Sequence, residues 1–185
     1  RQRYQRGKPV TGLEVAGKAK KTGSLVRFKP DSQIFETVDP DPEVLTGRLR
    51  ELAYLNPGAV LTLTNEDSGV VHKFEEKGGI VSYVQALTEG QGVVHRKPIY
   101  FRGEAQGVEM EVALQYSGGY HDNIVSFVND INTTEGGTHV SGLKTALTRV
   151  VNNWARKTNA LREKDPVPSG EDVREGLTTV IALKL

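Results

Sequence analysis

The feature with the clearest potential for chemistry is a glycine-containing turn that runs into a long amphipathic segment. The turn reads Asn132-Thr133-Thr134-Glu135-Gly136-Gly137-Thr138-His139. Adjacent glycines let the chain turn sharply into a helix, and threonine is a residue type that caps the free amides of a helix start. Such free amides can also bind an anion. We interpret Gly136, Gly137 and Thr138 as a structural turn, with an anion-binding nest as the alternative.

The long helix predicted at about residues 140–157 carries two arginines on one face. Arg149 and Arg156 are seven residues apart, so they project from the same side, opposite Leu147 and Trp154. Two guanidinium groups in line can follow a phosphate backbone. The other interpretation is an ordinary solvated face, which every surface helix has.

No catalytic centre and no metal site can be recognised in the sequence. Neither glycine-rich phosphate-binding pattern, G-x-x-x-x-G-K-[ST] or G-x-G-x-x-G, occurs. The histidines fall on different predicted elements without the spacing of metal ligands: His72, His95, His121 and His139. Glu109 and Glu111 alternate along one strand, as on the solvated face of an amphipathic strand. We therefore expect no catalytic residue and no metal ligand in this chain.

Composition limits the size and environment of the protein. Its 185 residues fit one domain, or one domain plus part of another. The apolar content of 37% is enough for a core, and no apolar run approaches the roughly 18 residues of a membrane span. The absence of cysteine excludes disulfides and thiolate catalysis and fits a reducing, cytoplasmic location. The first residue is Arg1 rather than Met, so we expect a piece of a longer protein.

The net charge of +1 conceals an uneven distribution. Residues 1–31 contain nine Lys and Arg against Glu14 and Asp31, a net charge of +7, so the remaining residues sum to −6. A basic end on an acidic body suggests either a nucleic-acid contact or two pieces of different origin. A basic sheet edge that discourages strand aggregation is an equally good explanation.

Hydrophobic periodicity predicts strands and helices in mixed order. Strands are predicted at residues 10–15, 24–28, 60–64, 70–74, 99–102, 108–116, 123–128 and 177–183. Helices are predicted at residues 43–55, 79–87 and 140–157, and after the capping-box string Ser169-Gly170-Glu171-Asp172. The fold class is α+β, with a mixed, mostly antiparallel sheet covered on one face by helices. The last unit is a strand, a long helix and a returning strand.

Several short motifs, taken in order, resemble the gyrase B family of bacterial type II DNA topoisomerases. The matching segments run along almost the whole chain: Lys21–Ser24, Val26–Asp31, Leu49–Asn56, Gly78–Ile80, Pro98–Phe101, Asn129–Arg149 and Gly170–Leu177. Any one of these segments would be weak evidence, but their number and order make the resemblance specific.

The resemblance implies a division into two domain pieces. Residues 1–38 would be the C-terminal strands of a GHKL-type ATPase domain, and residues 39–185 would be the transducer domain, with its left-handed β-α-β crossover. Ser24 would supply the last hydroxyl of the family's T-G-T segment, and Val26 would line the apolar floor of the ATP-binding pocket. Catalytic residues would lie outside this chain.

The resemblance also implies a role for the long helix, and partners for the intact enzyme. Arg149 and Arg156 would face the cavity that holds a DNA duplex. The partners would be DNA, a second copy of the intact protein and a gyrase A-like cleavage subunit, with no membrane. ATP and Mg²⁺ would serve the intact enzyme, which would use ATP binding to drive a two-state rotation of the transducer. The family's catalytic Glu and its Q-T-K loop have no counterpart here, so we expect this chain alone to bind no cofactor and to be inactive.

Three alternatives stay open. The chain could be a topoisomerase IV subunit, the equivalent domain of a MutL-type repair ATPase, or a non-catalytic nucleic-acid-binding module of the same fold. The E-G-G-T-H and R-E-G-L strings favour the topoisomerase. The net charge of −6 over residues 32–185 counts against the binding module.

Overall fold

The structure is a computed structural model that describes residues 1–18 and 20–185. The chain divides into two units, Arg1–Glu43 and Val44–Leu185. In the first unit, β1 (Tyr4–Gln5) and β2 (Lys8–Pro9) form a short antiparallel hairpin. The Asp31 carboxylate accepts the Gln33 amide at 2.9 Å and pairs with Arg6 at 2.6 Å. Both contacts lower the pKa of Asp31.

The strands predicted at residues 10–15 and 24–28 are wrong, because these residues have no regular secondary structure. Their apolar side chains face solvent, with Val15 exposed by 96% and Leu25 by 94%. A strand is stable only when a neighbour satisfies its backbone and one face is buried. In the first segment the Val10 amide donates to the Arg3 carbonyl at 3.0 Å and the Glu14 amide to the Arg1 carbonyl at 2.9 Å. Neither segment, however, has a buried face among the described residues of the first unit.

The second unit holds most of the regular structure. In chain order its elements are α1 (Pro42–Leu55, which begins at the end of the first unit), β3 (Leu61–Thr64), β4 (Val71–Phe74), α2 (Gly79–Leu87), β5 (Ile99–Ala105), β6 (Val108–Tyr116), β7 (Asn123–Val128), β8 (Ile131–Asn132), α3 (Thr138–Lys157), α4 (Gly170–Arg174) and β9 (Leu177–Lys184). The helices and strands predicted from residue 43 onward are confirmed. The short strand β8 was not predicted.

Five strands form the main sheet, in the order β5-β6-β9-β7-β8. The last strand of the described chain, β9, lies in the middle: Val180 pairs with Ala113 of β6 and with Val125 of β7. The β7–β9 pairing is parallel and the other three pairings are antiparallel, which confirms the mixed, mostly antiparallel sheet. Because α3 lies in the connection from β7 to β9, the structure contains a β-α-β crossover. Its left-handed sense stays a prediction.

Helices cover both faces of this sheet, so the prediction of one covered face is wrong. One face packs against α1 and α2, in a cluster made by Tyr54, Leu55, Ile80, Tyr83, Val84, Ala113, Phe127 and Val180. The opposite face packs against α3, in a cluster made by Val112, Leu114, Leu177, Ile181, Val140, Leu143 and Leu147. Alternation along β6 suggested one wet face because Glu109 and Glu111 are polar. Further along the strand, however, Ala113 and Gln115 of that face are buried beneath α2.

The buried Gln115 side chain is fully hydrogen bonded on the face of the sheet that packs against α2. Its Oε1 accepts from the Thr88 hydroxyl at 2.9 Å, and its Nε2 donates to the His95 carbonyl at 2.8 Å. A buried amide is tolerated when its donors and acceptor are satisfied. The polar residues that alternate along β6 thus include Gln115, which belongs to the core and not to the solvated surface.

The apolar stripe of α3, which contains Leu143, Leu147, Val150 and Trp154, is only partly buried. Leu143 and Leu147 pack on the sheet, whereas Val150 and Trp154 remain 59% and 63% exposed. The stripe therefore secures the first half of the helix to the sheet. The second half, which carries Arg156, is largely exposed.

Candidate nucleic-acid interface

The glycine turn leads directly into α3. The Gly136 amide donates to the Thr133 carbonyl at 2.8 Å, and the Ser141 amide donates to the Gly137 carbonyl at 3.1 Å. Gly137, the N-cap residue, has φ of 154°, and a Cβ placed there would lie 2.9 Å from the His139 ring. Thr138 is the first helical residue, and the N-cap residue Gly137 makes no side-chain cap, so Thr138 does not take the capping position that its residue type favours.

A chain of polar side chains supports this turn. The Thr133 hydroxyl lies 2.6 Å from the Ser126 hydroxyl and 3.1 Å from His139 Nε2. It also donates to the Ser126 carbonyl at 3.1 Å. Since Ser126 is buried in β7 and His139 lies in the first turn of α3, these contacts join the sheet to the helix start.

An open groove of about 420 Å³ lies between α3 and α4. It is lined by three cationic residues, two threonines and one glycine: Lys144, Arg149, Arg174, Thr145, Thr148 and Gly170. No acidic side chain of the described residues is among its lining. We call this surface the α3–α4 groove. Most of the exposed lining is apolar, and its charged groups are ammonium and guanidinium groups, which bind phosphate through charge-assisted hydrogen bonds.

The Asp122 carboxylate lies beside the groove and pairs with two of its cations, and Glu171 and Glu175 line an adjoining cleft with the same two cations. Arg174 Nε donates to Asp122 Oδ2 at 3.1 Å, and Lys144 Nζ lies 3.9 Å from the same oxygen. The Arg174 side chain is 16% exposed, so its orientation is well constrained. A Cβ at Gly170 would lie 2.9 Å from Arg174 Nη1 and 3.3 Å from Thr148 Oγ1, and the absence of a side chain there leaves room for the guanidinium.

The two arginines predicted to contact DNA differ in their surroundings. Arg149 lines the α3–α4 groove and is exposed, with no ion pair to any described residue. Arg156 lies two helical turns further on, roughly 10 Å along the axis, in the exposed last turn of α3. The structure therefore places Arg149 with Lys144 and Arg174, and Arg156 outside that cluster.

Sequence reasoning missed Lys144, Arg174 and Asp122. Lys144 was detectable, because Thr148 and Thr145 lie between it and Arg149 on a helical wheel, which makes one continuous polar strip. Arg174 and Asp122 are 52 residues apart, and no local pattern indicates that they meet.

The residues expected to contact ATP lie in the first unit. Ser24 is exposed and Val26 is 82% exposed. Val26 lines an open cleft of about 840 Å³ together with residues of the β1–β2 hairpin. Among residues 1–18 and 20–185, no group of three or more His, Asp or Glu side chains is arranged to hold a metal ion. Glu109 and Glu111 instead accept from Arg102 and Tyr100.

The part of the chain that the structure describes contains no helix long and apolar enough to span a membrane.

Comparisons with known proteins agree with this fold. The model of the DNA gyrase B family matches residues 79–185, which is more than half of the chain. The DNA gyrase B protein of Halalkalibacterium halodurans is 48% identical over 186 residues, covering 100% of this chain and 29% of that protein. The Bacillus mycoides protein of the same name is 47% identical, covering 99% of this chain and 46% of that protein.

A solved structure extends the similarity to three dimensions. The crystal structure of the 43K ATPase domain of Thermus thermophilus gyrase B, in complex with an aminocoumarin, superimposes with a TM-score of 0.80 at 40% identity. The match covers 98% of this chain and 50% of that one. The α+β chain described here therefore belongs to the DNA gyrase B family, which confirms the resemblance seen in its motifs. It spans less than half the length of the two curated relatives.

Proposed function

We propose that this chain is the coupling part of an ATP-dependent type II DNA topoisomerase. The observation that carries the proposal is the match of 98% of the chain to a gyrase B ATPase-domain structure. In this proposal residues 1–38 complete the ATPase domain and residues 39–185 form the transducer domain. The transducer passes the nucleotide state of the ATPase domain to the DNA-cleaving part of the enzyme, which acts in the cytoplasm.

The residues present fit part of an ATP site. Ser24 offers a hydroxyl and Val26 an apolar side chain, both accessible, which suits the edge and face of an adenine ring. Mg²⁺ prefers carboxylate and water oxygens, and the described residues contain no suitable cluster. We therefore assign adenine contacts to Ser24 and Val26, and assign Mg²⁺ and phosphate binding to other parts of the intact enzyme. Bound ATP supplies the free energy for the conformational change.

The exposed face of α3 is the proposed contact with transported DNA. Arg149 and Arg156 are both exposed and lie on one side of the helix, so they can approach successive phosphates of a duplex. Neither is paired with a described carboxylate. Such phosphate contacts position DNA without selecting its sequence, as an enzyme that passes arbitrary duplexes requires.

To couple ATP binding to DNA transport, the ATPase and transducer domains must be able to adopt two different arrangements. The sheet and its helices are buried against each other on both faces, so the second unit can move as a block. We place the hinge near Pro40–Pro42, where α1 begins. The partners in this mechanism are a second copy of the intact protein and a gyrase A-like cleavage subunit.

The test uses the longer protein that carries this chain, mixed with a gyrase A-like cleavage subunit. We expect an ATP-dependent change in the linking number of plasmid DNA. The Arg149→Glu/Arg156→Glu variant should lose most of this activity while its ATP hydrolysis without DNA stays unchanged. An Arg96→Glu/Lys97→Glu variant, which makes the same charge change on an exposed loop, is the matched control. If the wild-type mixture hydrolyses ATP without changing the linking number, the proposed function is wrong.

A further inference from the structure

We propose that Asn129 and Asp130 are positioning residues for the ATP-driven movement, because they join helix α1 to the end of the central strand β9. The two residues form the turn between β7 and β8, which we call the β7–β8 turn. This inference rests on the proposed function, in which a rotation at the hinge near residues 40–42 passes through α1 to the sheet. Asn129 and Asp130 act through the elements that they hold, and not through contact with ATP or DNA.

The β7–β8 turn has the tight backbone of a two-residue hairpin loop. Val128 pairs with Ile131, and the two residues between them have φ of 49° and 63°. A type I′ turn requires two positive φ values in succession, and its favoured sequences are Asn-Gly and Asp-Gly. This chain has aspartate at the position that favours glycine. Turn geometry therefore does not explain the side chain of Asp130, and its contacts indicate another role.

One side of the β7–β8 turn holds the end of β9. The Asn129 amide donates to the Leu183 carbonyl at 2.8 Å, which continues the parallel β7–β9 pairing beyond the end of β7. The Asn129 side chain then accepts the Leu185 amide through Oδ1 at 2.9 Å. Only the first five residues of β9 are buried, as far as Ile181. The two bonds thus fix the part of the strand that the core does not enclose.

The other side of the turn holds α1. Asn56 Nδ2 donates to Asp130 Oδ2 at 3.1 Å, and the Arg48 guanidinium donates to the Asp130 carbonyl. Arg48 and Asn56 are eight residues apart, so they project from the same face of the helix. The buried residues of α1 all belong to its last turn: Ala53, Tyr54 and Leu55. Arg48 therefore fixes a stretch of α1 that the core does not hold.

These contacts make α1 and β9 move together. Hydrogen bonds are directional, so a guanidinium and a carboxamide on one aspartate fix the angle of the helix as well as its distance. Since β9 pairs with both β6 and β7, a rotation of α1 that reaches β9 reaches the whole sheet. Without the β7–β8 turn, α1 keeps its buried last turn and the hydrogen bond from Tyr83 to Glu51, and its first half is free to tilt.

The turn between β5 and β6 offers a matched control. Gln106 and Gly107 connect these strands with φ of 53° and 79°, so the backbone is of the same type. Gln106 is exposed, and its side chain makes no hydrogen bond to another residue that the structure describes. Gln106→Gly and Asn129→Gly therefore place the same residue at the same kind of position, where glycine is unstrained. Only Asn129→Gly removes a contact.

The first measurement is hydrogen exchange in the longer protein that carries this chain, followed in peptides from α1. Asn129→Gly removes the side-chain bond to Leu185 at the end of β9. If the turn joins the two elements, the amides of α1 should nevertheless exchange about threefold faster or more. Gln106→Gly should exchange like the wild type. Asn129→Asp, which keeps an acceptor oxygen and tolerates positive φ, should restore the wild-type rates.

The second measurement is the change in linking number per ATP hydrolysed, with a gyrase A-like cleavage subunit present. A variant that is merely less stable loses both activities together and keeps this ratio. We expect Asn129→Gly and Asp130→Gly to lower the ratio by about threefold or more, while ATP hydrolysis without DNA stays unchanged. Gln106→Gly and Asn129→Asp should keep the wild-type ratio.

Each outcome decides the inference. If Asn129→Gly and Gln106→Gly show the same exchange in α1, the turn does not join α1 to β9. If exchange in α1 rises but the ratio stays at its wild-type value, the link is structural and has no part in the movement. If the wild-type mixture hydrolyses ATP without changing the linking number, the proposed function is wrong and the role in movement falls with it. Hydrogen exchange then still decides whether the turn joins the two elements.

Discussion

Tyr54 of α1 and Tyr83 of α2 stack face to face, with ring centroids 4.8 Å apart and ring planes inclined by 2°. Each is only 8% exposed. Tyr83 also contacts Phe127 of β7, with centroids 6.3 Å apart. Its hydroxyl donates to Glu51 Oε1 at 3.3 Å, and Glu51 in turn pairs with Arg48 at 2.9 Å. The stack thus joins two helices to the sheet.

Because the Tyr83 hydroxyl is buried in this stack, we expect the protein to lose stability at alkaline pH. Burial, followed by the charge of Glu51 and the hydrogen bond to it, raises the pKa of Tyr83 from 10.0 to about 12. Above about pH 10 the unfolded chain releases this proton first, so the free energy of unfolding should fall between about pH 10 and pH 12. The decrease attributable to Tyr83 should reach about 2 kcal/mol. Urea unfolding at a series of pH values measures it.

The Tyr83→Phe variant tests the assignment. It keeps the stacked ring and removes the ionisable group, so its unfolding free energy should decline less steeply in alkali than that of the wild type. Tyr54, Tyr100 and Tyr116, whose pKa values are also raised by burial, contribute to the slope that remains. If unfolding free energy fell as steeply with pH in Tyr83→Phe as in the wild type, the wild-type Tyr83 hydroxyl would not ionise more readily in the unfolded chain than in the folded one.

Replacement by alanine should have opposite effects at Gly142, within α3, and at Gly137, the N-cap residue that precedes it. At Gly142, within the helix, an added Cβ meets no atom within 4 Å, so Gly142→Ala should raise the free energy of unfolding by about 1 kcal/mol. At Gly137, φ is 154° and the Cβ would lie 2.9 Å from His139. Gly137→Ala should therefore lower the free energy of unfolding by about 1–3 kcal/mol. Thermal unfolding of both variants measures these changes. If the two substitutions changed the free energy of unfolding in the same direction, the helix start described above would be contradicted.

The capping box of α4 makes a further prediction. The Ser169 hydroxyl accepts the Asp172 amide at 3.2 Å, while the Asp172 carboxylate accepts the Ser169 amide at 2.7 Å. These contacts lower the pKa of Asp172. Its contribution to stability is therefore present above the ordinary value of 3.8 and is lost as pH falls through the lowered pKa.

Replacing Ser169 by Ala should remove one partner of this box. We expect Ser169→Ala to reduce the unfolding free energy by about 1 kcal/mol at neutral pH. A difference between Ser169→Ala and wild type that stays constant down to about pH 2 would argue against the coupling with Asp172. The matched control is Ser68→Ala, which changes a serine in the exposed β3–β4 loop.

The polar chain beneath the glycine turn should be sensitive to one hydroxyl. Thr133→Val leaves the shape nearly unchanged and removes the contacts to Ser126 and His139. Because Ser126 is buried, the unfolding free energy should fall by about 1–3 kcal/mol. Thr134→Val, at an exposed neighbouring position, should change it by less than about 0.5 kcal/mol. Comparable losses in the two variants would mean that the hydroxyl chain does not stabilise the turn.

Most elements of the second unit could be predicted because each has its own periodicity. The alternation along β6 and the helical spacing within α2 and α3 mark these elements without tertiary information. Alternation shows that a strand has two faces, but it does not show what covers each of them. For that reason we did not predict the helices that cover the face of β6 carrying Glu109 and Glu111. Ala113 and Gln115, which follow these glutamates on the same face, are buried.

The candidate site could be predicted only where it is local. Arg149 and Arg156 follow from the spacing along one helix, but the α3–α4 groove depends on contacts between distant segments. Asp122 precedes β7 and Arg174 ends α4, and they meet because β7 and β9 pair in parallel. In the first unit, apolar residues around Val15 and Leu25 suggested strands, but neither segment has a buried face among the described residues of that unit.

The central position of β9 has a consequence for how the sheet forms during synthesis. The hairpin of β5 and β6 and the hairpin of β7 and β8 share no pairing, and only β9 joins them. At a translation rate of roughly 5–20 residues per second, residues 117–184 take several seconds to be made after β6 is complete. Throughout that time β6 exposes the edge that β9 later covers, including Val112 and Leu114. A nascent chain of this kind is therefore prone to aggregation until β9 emerges from the ribosome.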